Sequence, residues 1–132
     1  WWSKMERRMV PVKIIAFDLD DVLCQRDSNI KVSGIEKYDY CEPIQKNIDI
    51  VNSLYDDGHK IIIYTARGMT IFSDDVSQIY ENLYPKTYDC LIKWGIKFHQ
   101  LVMGKISYDV LIDDKCLNSV SIDKESIIEF LL

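Results

Sequence analysis

Val12-Lys13-Ile14-Ile15-Ala16-Phe17-Asp18-Leu19-Asp20-Asp21-Val22 is the stretch on which the reading of this chain turns. Its first six residues form a short apolar run, the mark of a buried strand. The acids follow at once, at the C-terminal tip, where parallel α/β sheets open the crevice that binds ligands. Asp18 and Asp20 stand two residues apart and so lie near one small volume. Carboxylates that close repel one another, and a shared proton or a metal ion is needed to balance them. One can attack an electrophile while the other manages protons. The pattern points to phosphoryl chemistry.

Working outward, the elements alternate, as in a parallel sheet wrapped by helices. Residues Cys24 to Cys41, broken at Ser33-Gly34, read as a loop or small hairpin. Glu42-Pro43 opens a helix, since proline suits a first helical position. Ile44, Ile48, Val51, Leu54 and Tyr55 give it a buried face, and Gly58 stops it. A second strand, Lys60 to Tyr64, runs into Thr65-Ala66-Arg67-Gly68. Ser73 is the expected cap of a helix carrying Val76, Ile79, Tyr80 and Leu83, which Pro85 kinks or ends. A further helix around Tyr88, Leu91, Ile92 and Trp94 stops at Gly95. A third strand, Gln100 to Met103, leads to Gly104-Lys105, and a fourth, Asp109 to Ile112, to Asp113-Asp114. A last helix carries Ile122, Ile127, Ile128, Phe130 and Leu131.

The totals bound the answer. A length of 132 residues suits one domain, assigned to 12–132, after an N-terminal extension over 1–11. An apolar content of 48% excludes a disordered chain. The net charge of −5, without a basic stripe, argues against nucleic acid as an obligate partner. No apolar run reaches bilayer length, so no membrane partner is expected. The start, Trp1 to Met9, lacks the apolar core and cleavage site of a signal peptide, and Met5 or Met9 reads as a natural start. Cys24, Cys41, Cys90 and Cys116 show no paired metal-ligand spacing and read as reduced thiols of a cytoplasmic protein. His59 and His99 belong to no His/Cys/acid cluster and read as non-ligands.

Four strand tips thus carry complementary groups: Asp18/Asp20, Thr65, Lys105 and Asp113/Asp114. In a parallel sheet all four open on one edge. Carboxylates supply hard oxygen ligands that suit Mg²⁺. A threonine hydroxyl can hold phosphate oxygens, and a lysine ammonium can neutralise nucleophile and phosphoryl group together. Arg67 contacts substrate or forms a surface ion pair. The tyrosines and Trp94 read mainly as packing.

In this order and spacing the chain resembles the haloacid dehalogenase-like (HAD) superfamily. The motifs are Asp18-Leu19-Asp20-Asp21-Val22, Thr65 at the second strand tip, Lys105, and Asp113-Asp114 after the fourth strand. The resemblance implies a Rossmann-like three-layer sandwich with a parallel central sheet. It also implies a Mg²⁺-dependent phosphomonoesterase that forms an aspartyl-phosphate on a small phosphorylated substrate, such as a sugar or polyol phosphate. Asp18 is then the nucleophile and Asp20 the general acid and base. Thr65, Arg67 and Lys105 bind the substrate, with Thr65 and Lys105 also serving catalysis. Asp18, Asp20 (through its backbone carbonyl), Asp113 and Asp114 hold Mg²⁺. An alkoxide leaving group needs a proton where a halide does not, so Asp20 favours a phosphatase or phosphomutase over a dehalogenase.

The first interval, Leu23 to Glu42, is too short for a cap domain and the second, Ala66 to Gly104, is filled by helix and strand of the core, and the layout is similar to small capless phosphatases of capsule or surface-polysaccharide biosynthesis. The Leu23–Glu42 segment is expected to border the site as a mobile flap, with Arg67 and the loop to Ser73 opposite. Alternative readings are a phosphorylation-switched receiver-like binding module, a non-catalytic scaffold, and a phosphatase acting on nucleic-acid ends or protein. Homo-oligomerisation is left open.

Overall fold

The computed structural model describes residues 11–132. The expectations for Trp1, Trp2, Met5 and Met9 lie outside the described residues.

The opening apolar run forms β1, Ile14–Phe17. It pairs in parallel with β4, Lys60–Tyr64, Ile14 standing opposite Lys60 and Phe17 opposite Ile63. On its other side β4 pairs in parallel with β5, Gln100–Val102, so the sheet order is β1-β4-β5. Being central, β4 is the best buried strand: Ile61 and Ile63 are fully enclosed. The result is a mixed α/β fold on a small parallel sheet.

Between β1 and β4 the chain makes a hairpin and a helix. The hairpin pairs β2, Cys24–Arg26, with β3, Cys41–Pro43. Its connection contains a 3-10 helix over Gly34–Tyr40. Pro43 therefore ends a strand rather than opening the helix. Helix α1 runs over Gln45–Asp56 and turns Ile48, Val51 and Leu54 into the core. Between β4 and β5 come α2, Val76–Asn82, and α3, Tyr84–Lys93. Asp75, not Ser73, caps α2 by accepting from the Gln78 N–H. Ser73 itself sits at φ 49, outside the extended geometry of an N-cap. Pro85 lies in the first turn of α3, so the two helices abut at Leu83 instead of merging. Helix α4, Lys124–Leu131, starts at a capping box of Asp123 and Ser126. Lys124 joins Asp57 at 2.7 Å and also hydrogen-bonds Ser53, which ties α4 to the end of α1.

The expected fourth strand, Asp109 to Ile112, is absent: these residues carry no sheet pairing, and Val110 and Ile112 are 71% and 91% exposed. The apolar run supplied the propensity but not the partner, and a strand is stable only when its backbone groups pair. A cavity of about 660 Å³ lies between β1 and this stretch, lined by Ile14, Phe17, Leu111, Ile122 and Ile127 among others.

Both histidines serve the sheet's N-terminal end. The Lys13 N–H donates to His59 Nδ1 at 3.1 Å, and the Ile61 N–H donates to His99 Nδ1 at 3.0 Å. His59 is buried, and burial lowers its pKa, with the Lys124 charge adding to this and Asp57 opposing it. A histidine lowered on folding contributes stability that is present above its unfolded pKa, ~6.5, and lost as pH falls through the lower folded value. The urea midpoint of the wild type should therefore drop between pH 7.5 and 5.5 by more than that of His59→Asn, whose amide oxygen can accept the same bond without titrating. Parallel pH dependence in the two proteins would remove His59 from this role.

Candidate active site

The site grows from the turn after β1. The Leu19 carbonyl accepts from the backbone N–H groups of Val22, Leu23 and Cys24, winding one tight turn in which Asp21 takes φ 66. Leu19 is fully buried, so alternation sets Asp18 and Asp20 apart from it on the partly exposed side. The Leu19 N–H donates to Asp18 Oδ1 at 2.9 Å. Lys105 arrives from the far strand: β5 ends, Gly104 turns at φ 90 in the region glycine favours, and Lys105 Nζ stands 3.4 Å from Asp18 Oδ2. The sequence-predicted pair is brought together.

Burial raises the pKa of Asp18, while the Lys105 charge and the Leu19 N–H pull it back. For Lys105 burial works against the charge, but a hydrogen bond with Tyr108 and the Asp18 charge outweigh it and raise its pKa. Its ammonium also lies 5.3 Å from the Tyr108 ring centroid and 5.9 Å from that of Tyr64.

Asp20 has a different partner. Arg67 Nε reaches both Asp20 oxygens, at 3.2 and 3.0 Å, and Nη2 reaches Oδ1 at 2.9 Å. The Arg67 side chain is 1% exposed and that of Asp20 37%. The pair is therefore neither a surface ion pair nor a free substrate hook, and Arg67 is a positioning residue for Asp20. Burial opposes the guanidinium charge, yet the hydrogen bonds and charge of Asp20 outweigh it and push the pKa up. Nη2 also lies 3.5 Å from Cys24 Sγ and 3.6 Å from Cys41 Sγ, and the Tyr38 ring packs 4.6 Å from the guanidinium carbon. Burial raises the pKa of both thiols and of Tyr38. Asp20, Cys24 and Cys41 offer ligand atoms within 4.8 Å of one another, but the guanidinium stands among them as a built-in cation.

Thr65 lies at the tip of β4 as expected, but it is fully enclosed, and its hydroxyl accepts from the Arg67 N–H at 3.1 Å. It lines neither of the two cavities beside Asp18. Asp113 and Asp114 sit on an exposed loop rather than at a strand tip, because the fourth strand does not form. Asp113 accepts from the Lys115 N–H at 2.9 Å, which lowers its pKa, and it shares the 660 Å³ cavity with Asp18 and Lys105. Asp114 is not in that lining.

The second cavity, of about 640 Å³, lies on the hairpin side and is lined by Asp18, Asp20, Arg26, Lys37, Tyr38 and Lys105 among others. The hairpin borders the site as expected. It does not face Arg67 across an opening, however; it packs on it, and Tyr38 Oη accepts from the Gly68 N–H at 3.0 Å. Gly68 holds φ 82 with Leu83 so close that a Cβ would meet it at 2.6 Å, so this contact requires glycine. Sequence reasoning placed the Leu23–Glu42 segment and the loop to Ser73 beside the site without singling out Arg26, Lys37, Tyr38 or Thr70 in them, and it missed Tyr108, since each reads locally as a surface or packing residue. The arrangement offers a partly exposed carboxylate beside an ammonium, with a second carboxylate held by a guanidinium two residues on.

No family model matches the chain, and no curated protein does. Among solved structures, a crystal structure of an MCSG structural-genomics target from Vibrio cholerae superposes with a TM-score of 0.74 at 24% identity, covering 91% of this chain and 97% of that one. At that identity the likeness is one of fold alone.

Two outcomes follow from this geometry. Removing one partner of a buried ion pair strands the other, so Arg67→Met should cost about 2–3 kcal/mol in urea unfolding, the half-exposed Asp20 moderating the loss. The double variant Arg67→Met/Asp20→Asn should recover part of it, and additive losses would deny the coupling. In metal-free protein, carbon NMR should show the Asp18 carboxyl titrating above the ordinary ~3.9, and higher still in Lys105→Met. A downward shift in that variant would contradict the pairing.

Proposed function

We propose that this chain is a Mg²⁺-dependent phosphomonoesterase of the HAD type, with a Rossmann-like core and no cap, acting through an aspartyl-phosphate on Asp18. The observation that carries the reading is the Asp18–Lys105 pair. Two residues far apart in sequence meet at 3.4 Å at the C-terminal tips of β1 and β5, and both line open cavities. An ordinary core has no use for a carboxylate 38% exposed beside a largely buried ammonium at a sheet tip, whereas a nucleophile and its counter-charge suit that placement.

In the proposed reaction an Asp18 carboxylate oxygen attacks the phosphorus and the P–O bond to the leaving alcohol breaks. Lys105 offsets the charge on Asp18 and on the phosphoryl oxygens. Asp20 donates a proton to the leaving oxygen and then takes one from the water that cleaves the acyl-phosphate. Both Asp20 oxygens are engaged by Arg67, so one must leave the fork for that exchange. Thr65 acts from beneath, its hydroxyl fixing the Arg67 backbone rather than touching phosphate in this state.

The donor set fits a hard cation. Asp18 and Asp113 line one cavity and would offer carboxylate oxygens of the kind Mg²⁺ selects, and the backbone carbonyl of Asp20 would have to join them from the adjoining cavity, which Asp18 also lines. The Asp20/Cys24/Cys41 cluster, with two sulfurs and a guanidinium among them, does not suit it. Mg²⁺ bound by the oxygen set would supply charge neutralisation for the phosphoryl group.

Phosphate release from p-nitrophenyl phosphate tests the proposal. The wild type should turn over with Mg²⁺ and stop with EDTA, and Asp18→Asn should lose at least about 10³-fold. The wild type alone should trap a beryllium fluoride mimic at Asp18. Near-normal turnover by Asp18→Asn would overturn the mechanism.

A further inference from the structure

The 640 Å³ cavity reaches well beyond the Asp18–Lys105 pair. It falls in the range of about 300–1,000 Å³ usual for small-molecule sites, so it has room for a leaving group as well as a phosphoryl group. Its charges are not evenly matched. Lys105 is spoken for by Asp18 and Arg67 by Asp20. Two more cations line it, Arg26 at the end of β2 and Lys37 in the 3-10 helix of the hairpin, and among the described residues neither pairs with a carboxylate. Asp21 is the one remaining acid in the lining, so four cations face three carboxylates in a chain whose net charge is −5. Lys37 is half-buried, with its ammonium 5.1 Å from the Tyr38 ring centroid, and that ring is itself pinned to the Gly68 N–H and to Arg67. The cationic wall is therefore carried on the hairpin, which Arg67 clamps to the catalytic turn.

Resting on the phosphomonoesterase reading, we infer that the substrate carries a second anionic group on its leaving side, and that Arg26 and Lys37 recognise it. The recognised chemistry is a carboxylate or a second phosphate. The arginine fork matches either in two-point fashion, and the lysine adds a point charge. The seven charged side chains in the lining disfavour a greasy leaving group. The excess positive charge selects against a neutral one. Arg26 and Lys37 are thus specificity-determining residues, held away from the bond that breaks.

The test compares kcat/KM for matched substrates with Mg²⁺ present. One arm sets 3-phosphoglycerate against glycerol 3-phosphate and probes a carboxylate. The other sets glucose 1,6-bisphosphate against glucose 6-phosphate and probes a phosphate. In at least one arm the anion-bearing member should win by about tenfold or more, the scale of a charge-assisted contact in a partly exposed site. The variant Arg26→Gln/Lys37→Gln should bring that ratio close to one, and Arg26→Lys/Lys37→Arg should retain most of it. Ratios at or below one in both arms, or a preference that survives the glutamine variant, would overturn the inference while leaving the phosphomonoesterase reading in place. No hydrolysis of any of these substrates, nor of p-nitrophenyl phosphate, would overturn that reading and this one with it.

Discussion

A single buried guanidinium organises the site. Arg67 comes from the loop after β4, and its contacts reach the turn after β1 through Asp20, β2 through Cys24, β3 through Cys41, and the 3-10 helix through Tyr38. A charge buried in this way is tolerable only when it is paired and hydrogen-bonded. Asp20 supplies the pairing, and the thiols and the tyrosine ring complete a soft, polarisable shell. The constraint runs in both directions: the hairpin needs Arg67 to be seated, and Arg67 needs the hairpin to cover it.

This arrangement separates two carboxylates that stand two residues apart. Asp18 faces a largely buried ammonium from the tip of the far strand, β5, and Asp20 faces a rigid planar fork in the interior. Ammonium and guanidinium are not interchangeable here, since one is a compact point charge and the other a planar fork that engages both carboxylate oxygens. Different partners thus give two like residues unlike electrostatic surroundings.

How far the chain could be read follows from which contacts are local. β1 and β4 were legible because unbroken apolar runs ended in turn residues, and the helices because Ile48, Val51 and Leu54 or Ile79 and Leu83 recur at helical spacing. Lys105 was legible from its place after a strand and a glycine. The caps were read less well: Ser73 and Asp75 are equally plausible on paper, and only the left-handed backbone at Ser73 decides between them. The fourth strand failed for a different reason. Val110-Leu111-Ile112 has the composition of a strand, but composition carries no information about which edge is within reach.

The sequence by itself determined the acids after β1, the alternation of elements and the hydrophobic faces that build the core, because these rest on periodicity and on neighbours within a few residues. Only the tertiary structure decided that Asp18 meets Lys105, that Arg67 turns inward onto Asp20 rather than outward to solvent, and that Arg26 and Lys37 share a cavity with both acids. The first two are contacts between residues 87 and 47 apart in the chain, and the third depends on how the hairpin folds back over the turn after β1. Electrostatic partnership depends on distance in space and on burial, and neither quantity exists until the chain has folded.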